Sequence, residues 1–298
     1  MSLITNDGTQ NPPRLAIYLN LGNLVDLPDW STWPKLQGAD AIAYLKSHGF
    51  EGIQDGDAAL AKAAGIGSAG GGRIDSPAES DPFAKKMKDA GHDAATVHVG
   101  YGFEDDAETD ALVDSVLNAS AKTGVPIFIE THRATITQDA WRTIQLTKRR
   151  PDVRFNGDFS HFYTGQELVY GDLDAKFDKM QPIFDRVRFM HGRIGSPGCI
   201  QVDIGDGTSP ALQQTGTADF VAHFRDMWTR AMAGFLKHAS AGDYLVFAPE
   251  ILTPFYYYGR KFVGPDGQLR EESDRWQQAL VYKRIAEECF AAAKLRLA

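Results

Sequence analysis

Cysteine is almost missing from this chain: Cys199 and Cys289 are the only two thiols in 298 residues. One possible pair cannot staple a chain of this size, so the fold must rest on a hydrophobic core, and free thiols point to a reducing compartment. Long apolar runs are missing too. No stretch approaches the roughly 18 residues of a membrane span. The polar segment from Met1 to Arg14 lacks the apolar centre of a secretory signal. The expectation is a cytoplasmic protein away from membranes. Positive charge is in deficit, with 31 Lys and Arg against 39 Asp and Glu and a formal net charge of −8. That balance argues against a general nucleic-acid or anionic-membrane binder and leaves small molecules as the partner class. No linker, low-complexity tract or charge block divides the chain, so residues 1–298 read as one domain.

Several catalytic signatures are absent as well. Gly65-Ile-Gly-Ser-Ala-Gly70 matches a dinucleotide fingerprint by letter. That fingerprint needs a strand before it and a helix after it, and here a helical pattern precedes and Arg73 to Pro77 follows. No Gly-Lys-Ser/Thr follows the glycines, which excludes a phosphate-binding P-loop. Gly70 to Gly72 read as a flexible turn or a close approach of backbone to ligand. There is no Gly-x-Ser-x-Gly elbow, and neither cysteine has a histidine partner in its sequence context, so nucleophilic Ser or Cys catalysis has no support.

What the chain does have is a recurring unit. Helical patterns at Ala41–His48, Ala58–Ala64, Phe83–Ala90 and Asp110–Thr123 each stop at a glycine, and a short apolar run follows at once. Glycine past a helix end accepts the left-handed conformation that terminates it. Strand patterns fall at Leu15–Leu21, Phe50–Gln54, Ile66–Gly70, Ala94–Val99, Val125–Glu130, Val153–Asp158, Arg186–His191 and Tyr244–Glu250. Helical patterns over 137–149, 172–182, 217–240 and 272–296 fill the remaining gaps. Eight strands alternating with eight helices is the arithmetic of a single (β/α)8 TIM barrel, an α/β fold, with a doubly wound open sheet as the competitor.

The second half holds one polar constellation. Four successive strand patterns end in Glu130, Asp158, His191 and Glu250. In a parallel barrel the C-terminal strand ends share one mouth, so these four side chains converge there. A carboxylate closing an apolar strand is costly unless paired or coordinated, and three together repel one another unless a divalent cation relieves them. Three oxygens and an imidazole favour Mn2+, with Mg2+, Co2+ or Zn2+ as alternatives.

Glu130-Thr-His-Arg133, Asp158-Phe-Ser-His161, His191-Gly-Arg193 and Pro249-Glu-Ile-Leu-Thr-Pro254 resemble motifs of the xylose isomerase-like TIM barrels, also named sugar phosphate isomerases/epimerases. The resemblance spans most of the chain. It implies one divalent metal held by Glu130, Asp158, His191 and Glu250, polarising a substrate carbonyl and its neighbouring hydroxyl. It further implies Glu130 and Glu250 as the acid–base pair of a sugar isomerase or epimerase acting through an enediolate. His161 would hydrogen-bond a substrate oxygen, and Arg193 would hold developing negative charge or an anionic group. His132 and Arg133 would do likewise or face outward, and His98 would line the mouth or sit in the core.

Members of the family also include dehydratases and endonuclease IV. A lyase using the same enolate is therefore the runner-up, and a silent sugar-binding protein is a third class. The acidic balance and the expected lack of extra histidines for a multi-zinc centre argue against a nuclease. The sugar epimerases carry another glutamate six residues after the first ligand, where Ile136 stands here. The expected partner is a small sugar or keto-polyol, with self-association possible. The loop 195–215 has no assignable role. His48, His92, His223 and His238 read as structural. The run Phe255 to Tyr258 walls a pocket or packs, and Trp30 and Trp33 are similarly open.

Overall fold

The computed structural model describes residues 3–208 and 219–297. Strands β1 (Arg14–Asn20), β2 (Gly52–Gln54), β3 (Gly67–Ile74), β4 (Ala94–Val99), β5 (Ile127–Glu130), β6 (Phe155–Asn156), β7 (Val187–Gly192) and β8 (Tyr244–Pro249) pair in parallel, each with its sequence neighbour. The eighth pairs with the first, and the barrel closes. Closure removes every sheet edge and decides the choice between barrel and open sheet for the barrel. Helices α1 (Gly38–Ser47), α2 (Ala58–Ala63), α3 (Ser80–Ala90), α4 (Asp106–Thr123) and α5 (Ala140–Arg149) fill the first four gaps and the fifth. Then follow α6 (Ser160–Gly165), α7 (Leu173–Phe184), α8 (Phe220–His238) and α9 (Arg275–Leu295). Gly49, Gly65, Gly91 and Gly124, expected at helix ends, all have positive φ.

Alternation along the strands sorts side chains into two cores. Ile17, Leu19, Val97, Ile129, Leu245 and Phe247 face the helices, whereas Ala16, Tyr18, Ala69, Phe128, Phe189, Val246 and Ala248 fill the barrel interior. The same parity sends Asn20, Gln54, Thr96, Glu130, Asn156 and His191 inward, four of them two residues beyond the interior apolar residues Tyr18, Ala94, Phe128 and Phe189.

The structure departs from the sequence reading in four places. The third strand runs to Ile74, so Gly70 to Gly72 form its middle instead of a turn. A Cβ at Gly70 or Gly72 would strike Met87 or Phe83 of α3, and one at Gly71 would strike Asp55. The sixth strand is only two residues long and ends before Asp158. Helix α6 was not foreseen, and neither was the hairpin of β9 (Lys261–Val263) and β10 (Leu269–Glu271). In the loop after β7, Gln201 exchanges two hydrogen bonds with the backbone of Leu252 (2.8 and 3.0 Å), which ties the loop to the segment after β8. Residues 209–215 of that loop, and the first residues of the pattern over 217–240, lie outside the described residues.

Two clamps hold the long β1 loop. Arg275, fully buried, donates to the carbonyls of Gly22, Asn23, Val25 and Asp26 and pairs with Glu271 at 2.6 Å. Trp33 packs edge-on against Trp276 and Tyr44, with centroids 5.0 and 5.3 Å apart, whereas Trp30 is half exposed. Among the described residues no helix is long and apolar enough to cross a membrane.

Helix α8 crosses α7 so closely that a Cβ on Gly234 would lie 2.7 Å from the Phe184 carbonyl oxygen. Alanine is intrinsically the better helix former, by about 1 kcal/mol. Backbone cannot yield as a flexible side chain can, so Gly234→Ala is expected to lose about 1–3 kcal/mol in urea unfolding. Unchanged or raised stability would disprove the close crossing.

Candidate metal centre

Four strand ends build the centre, and each side chain is aimed by parity and then fixed by a neighbour. Glu130, at the end of β5, accepts from Asn156 Nδ2 at 3.0 Å on Oε2 and lies 3.1 Å from His98 Nε2 on Oε1. Glu250, just past β8, accepts from Asn20 Nδ2 at 3.2 Å. Asp158, two residues beyond β6, is fully buried; its Oδ1 accepts from the Ser160 N–H at 3.0 Å and from the Ser160 hydroxyl at 2.5 Å. Donor atoms of Glu130, Asp158, His191 and Glu250 all lie within 4.8 Å of one another.

His191 shows which of its nitrogens serves the cluster. Gln54 donates its amide to Thr96 Oγ1 at 2.9 Å, so its carbonyl oxygen faces His191 Nε2 at 2.9 Å and accepts from it. Nδ1 is left facing Glu130 Oε2 at 3.2 Å and Glu250 Oε2 at 3.3 Å. It is buried, yet no well-directed hydrogen bond satisfies it. An orphaned imidazole nitrogen among three carboxylates, its far side fixed by a polar partner, fits a divalent cation. Three hard oxygens with one nitrogen suit Mn2+, Mg2+ or Co2+.

Electrostatics hold the cluster together in the metal-free protein. Burial alone would strip the proton from His191, but the Glu250 and Glu130 carboxylates overcome it and raise its pKa well above the ordinary value. Burial pushes Glu130 toward protonation, and His98 and His191 reverse this and hold it well below the usual carboxylate range. Arg193 donates through Nη2 to both Asp158 Oδ2 and Glu250 Oε2 at 2.5 Å, and its guanidinium lies 4.8 Å from the Tyr258 ring centroid. Arg193 is therefore fastened across two of the candidate ligands, and its Nη1 is buried without a partner.

The remaining expected residues form one wall. The rings of His98 and His132 are 4.3 Å apart, those of His132 and His161 3.9 Å apart, and Tyr258 meets His161 edge-on. Burial, aided by His161, drives the His132 pKa down to about 2, and burial and then Arg193 hold His161 well below its ordinary value. Both are neutral; His161 Nε2 lies 3.5 Å from Asp158 Oδ2, and neither buried His161 nitrogen makes a hydrogen bond. Arg133 is exposed, 5.7 Å from the Tyr258 ring.

The expected lack of extra histidines near the centre does not hold, because His98, Glu130 and His132 form a second group of donors. His132 Nδ1, however, accepts from the Ala134 N–H at 3.1 Å. A neutral ring must then carry its proton on Nε2, which makes His132 a donor and ill suited as a ligand. Ile136, where the sugar epimerases have a glutamate, is wholly buried. Of the remaining histidines, His48 meets the Tyr44 carbonyl, His92 the Ser68 hydroxyl and His223 the Tyr163 hydroxyl. Phe255 and Tyr257 of the aromatic run point outward, and only Tyr258 turns in.

Beginning at His98, a cleft of roughly 380 Å³ is lined by Gln54, Asp55, Gly71, Gly72, Arg73, Thr96 and His98 as well as Glu130, His191 and Glu250. That volume suits a small molecule. Sequence reasoning missed Asn20, Gln54, Thr96, Asn156 and Asp55. The first four share the inward parity of the ligands and are polar where the strand is otherwise apolar. A cleft of about 460 Å³ opens at the other end of the barrel, but there Arg14 is already paired with Asp7 and Glu51.

No family model matches the chain, and no curated protein matches its sequence. Solved structures do. The chain is similar to the probable 3-DHS dehydratase AsbF from Bacillus anthracis, with 13% identity, 80% of this chain and 93% of that one covered, and a TM-score of 0.51. It is also similar to a xylose isomerase-like TIM barrel protein from Mycobacterium smegmatis in complex with magnesium, with 12% identity, 94% and 97% coverage, and a TM-score of 0.50. The chain has the fold of the xylose isomerase-like TIM barrels.

Two predictions follow from the state of His191. Its pKa is raised in the metal-free protein, so a cation must displace a proton from Nδ1 while Glu130 stays ionised. Affinity for Mn2+ is expected to rise with pH until the metal-free His191 has lost that proton, and calorimetry in buffers of different ionisation enthalpy should register proton release. A pH-independent affinity would refute ligation by His191. Gln54→Leu, which removes the partner of Nε2, is expected to weaken Mn2+ about 10–100-fold with an unchanged circular dichroism spectrum.

Proposed function

We propose that the chain is a divalent-metal-dependent isomerase or epimerase of a small sugar or hydroxy-ketone. The observation that carries this reading is the pair of glutamates, Glu130 and Glu250, facing one His191 nitrogen from separate strands and both bordering the cleft. Glu130, Asp158, His191 and Glu250 would hold the cation, with Mn2+ the favoured ion. A divalent cation there would polarise a substrate carbonyl and stabilise negative charge on its oxygen.

The protein's own groups supply proton transfer. A carboxylate beside the carbon next to the carbonyl removes its proton as general base, and a second carboxylate across the centre returns one. Glu130, held ionised by His98 and His191, and Glu250, pinned by Asn20 and Arg193, are the groups so placed. Two faces of attack suit epimerisation, and proton return to the neighbouring carbon suits isomerisation. His161 and Arg193 Nη1, both buried and unsatisfied, are the available donors to substrate oxygens. His132 directs its Nε2–H to the Tyr258 hydroxyl at 3.4 Å beside them.

A lyase that expels a β-hydroxyl through the same enolate is the second reading, favoured by the fold shared with a probable dehydratase. The substrate is small in either case, and a cytoplasmic setting and self-association accompany the proposal.

The test is proton exchange by NMR in D2O with Mn2+-free and Mg2+-loaded samples and a panel of ketoses, inososes and short hydroxy-ketones. Deuterium uptake next to the carbonyl is expected with metal, lost to chelator, and reduced at least about 100-fold in Glu250→Gln. Exchange followed by loss of water selects the lyase. Confirmed metal binding with no exchange in any member of the panel rejects both and leaves a binding protein.

A further inference from the structure

Asp55 stands in the wall of the cleft and has no place in the chemistry above. It follows β2 directly and adopts a left-handed conformation, with φ of 59°. Few residues other than glycine accept that conformation, and Asp and Asn are among the more tolerant. Its backbone N–H is tied to the Ala69 carbonyl at 3.0 Å, which anchors the bend to β3. Its side chain occupies space that only a glycine opposite can leave. A Cβ on Gly71, which faces inward, would stand 2.5 Å from Asp55 Oδ1. The carboxyl makes no hydrogen bond or ion pair with any described residue. It is a solvent-exposed acceptor in a left-handed bend, seated against Gly71 at the border of a small-molecule cleft, with no protein donor of its own.

The surrounding charges narrow what that donor is. Glu130 and Glu250 share their charge with His98, His191 and Arg193, whereas Asp55 has no ion pair, so a phosphate or carboxylate seated against Asp55 would meet repulsion. The cation at its rim, Arg73, is already engaged: Nε donates to Asp75 at 2.7 Å, Nη2 donates to the Gly100 carbonyl, and the guanidinium lies over the Tyr101 ring. Hydroxyl groups are neutral and supply the donors that Asp55 lacks.

We propose that Asp55, seated against Gly71, receives the hydroxyls of an unphosphorylated polyhydroxy chain that extends from the metal centre, making the substrate a neutral ketose or keto-polyol with hydroxyls beyond the one beside its carbonyl. The inference rests on the metal reading above and adds a specificity-determining residue to it. A charge-assisted hydrogen bond in a cleft of this kind is worth a factor of ten or more in affinity.

The experiment first titrates the protein with Mn2+, then titrates the Mn2+-loaded protein with hydroxyacetone, L-erythrulose, dihydroxyacetone and dihydroxyacetone phosphate. Wild type is expected to bind erythrulose at least tenfold more tightly than hydroxyacetone, which has no hydroxyl beyond the one beside its carbonyl, and to prefer dihydroxyacetone to its phosphate. Asp55→Gly removes the carboxyl and relieves the positive φ. It is expected to weaken erythrulose at least tenfold and hydroxyacetone less than threefold, with Mn2+ affinity retained. Gly71→Ala, which places a carbon 2.5 Å from Oδ1 and forces the carboxyl to move, is expected to reproduce that selective loss and serves if the first variant fails to fold. Equal losses for both ketones, an unaffected erythrulose affinity, or tighter binding of the phosphate overturns the proposal while leaving the metal reading intact. Failure of the wild type to take up Mn2+ overturns the metal reading and this proposal with it.

Discussion

Three carboxylates brought together at the mouth of a closed barrel set the terms for everything around them. Glu130 and Asp158 are buried and Glu250 nearly so, and their mutual repulsion in a medium poorer than water is severe. The metal-free fold answers with two cations of its own. His191 faces Glu130 and Glu250, and the Arg193 guanidinium bridges Glu250 and Asp158. Removing either cation would leave a buried charge without compensation, which is far costlier than the net value of the pair suggests. The two cations offset two of the three carboxylates, and the negative charge left over favours a divalent ion. A divalent ion that joins it displaces a proton from His191, so the same charges that stabilise the metal-free protein set the terms of metal uptake.

The parity of parallel strands explains how much of this could be read from the chain. Glycine at helix ends and apolar runs after them give the element order, and a (β/α)8 barrel follows because sequential parallel strands with one helix per gap close readily. Glu130, His191 and Glu250 stood out because each ends an apolar strand in a charge or an imidazole. The supporting amides did not, because Asn20, Gln54 and Asn156 are neutral and common at strand ends. Only the inward register, visible once the barrel closes, singles them out. Asp55 was hidden for a different reason: its importance lies in a positive φ and in the missing Cβ of Gly71, which comes from another strand. Gly70 to Gly72 looked like a turn for the same cause. Strand β3 tolerates three glycines because its two neighbours hold it, while α3 on one face and Asp55 on the other occupy the space that side chains would take.

The mouth is consequently asymmetric. One wall is packed with stacked rings, His98, His132 and His161, closed by Tyr258 and clamped by Arg193. His132 and His161 are neutral there and add no positive charge, whereas at His98 burial is outweighed by Glu130, which raises its pKa. The other wall is more open, made of backbone at Gly71 and Gly72 with the side chains of Asp55 and Arg73. The Asp55 carboxyl is exposed to solvent and accepts from a donor that enters the cleft.

This division of labour follows from where volume is available. Donors that must be aimed to within a few tenths of an ångström sit in the packed wall, where neighbours on every side fix their rotamers. Room for a variable chain of substrate lies at the open wall, where β3 has given up its side chains. A larger residue at Gly71 would fill the cleft and displace Asp55 at once, so the emptiness of that strand and the position of the carboxyl are a single structural feature. The packed wall and the metal ligands would together govern which bond reacts, and the open wall which molecule is admitted.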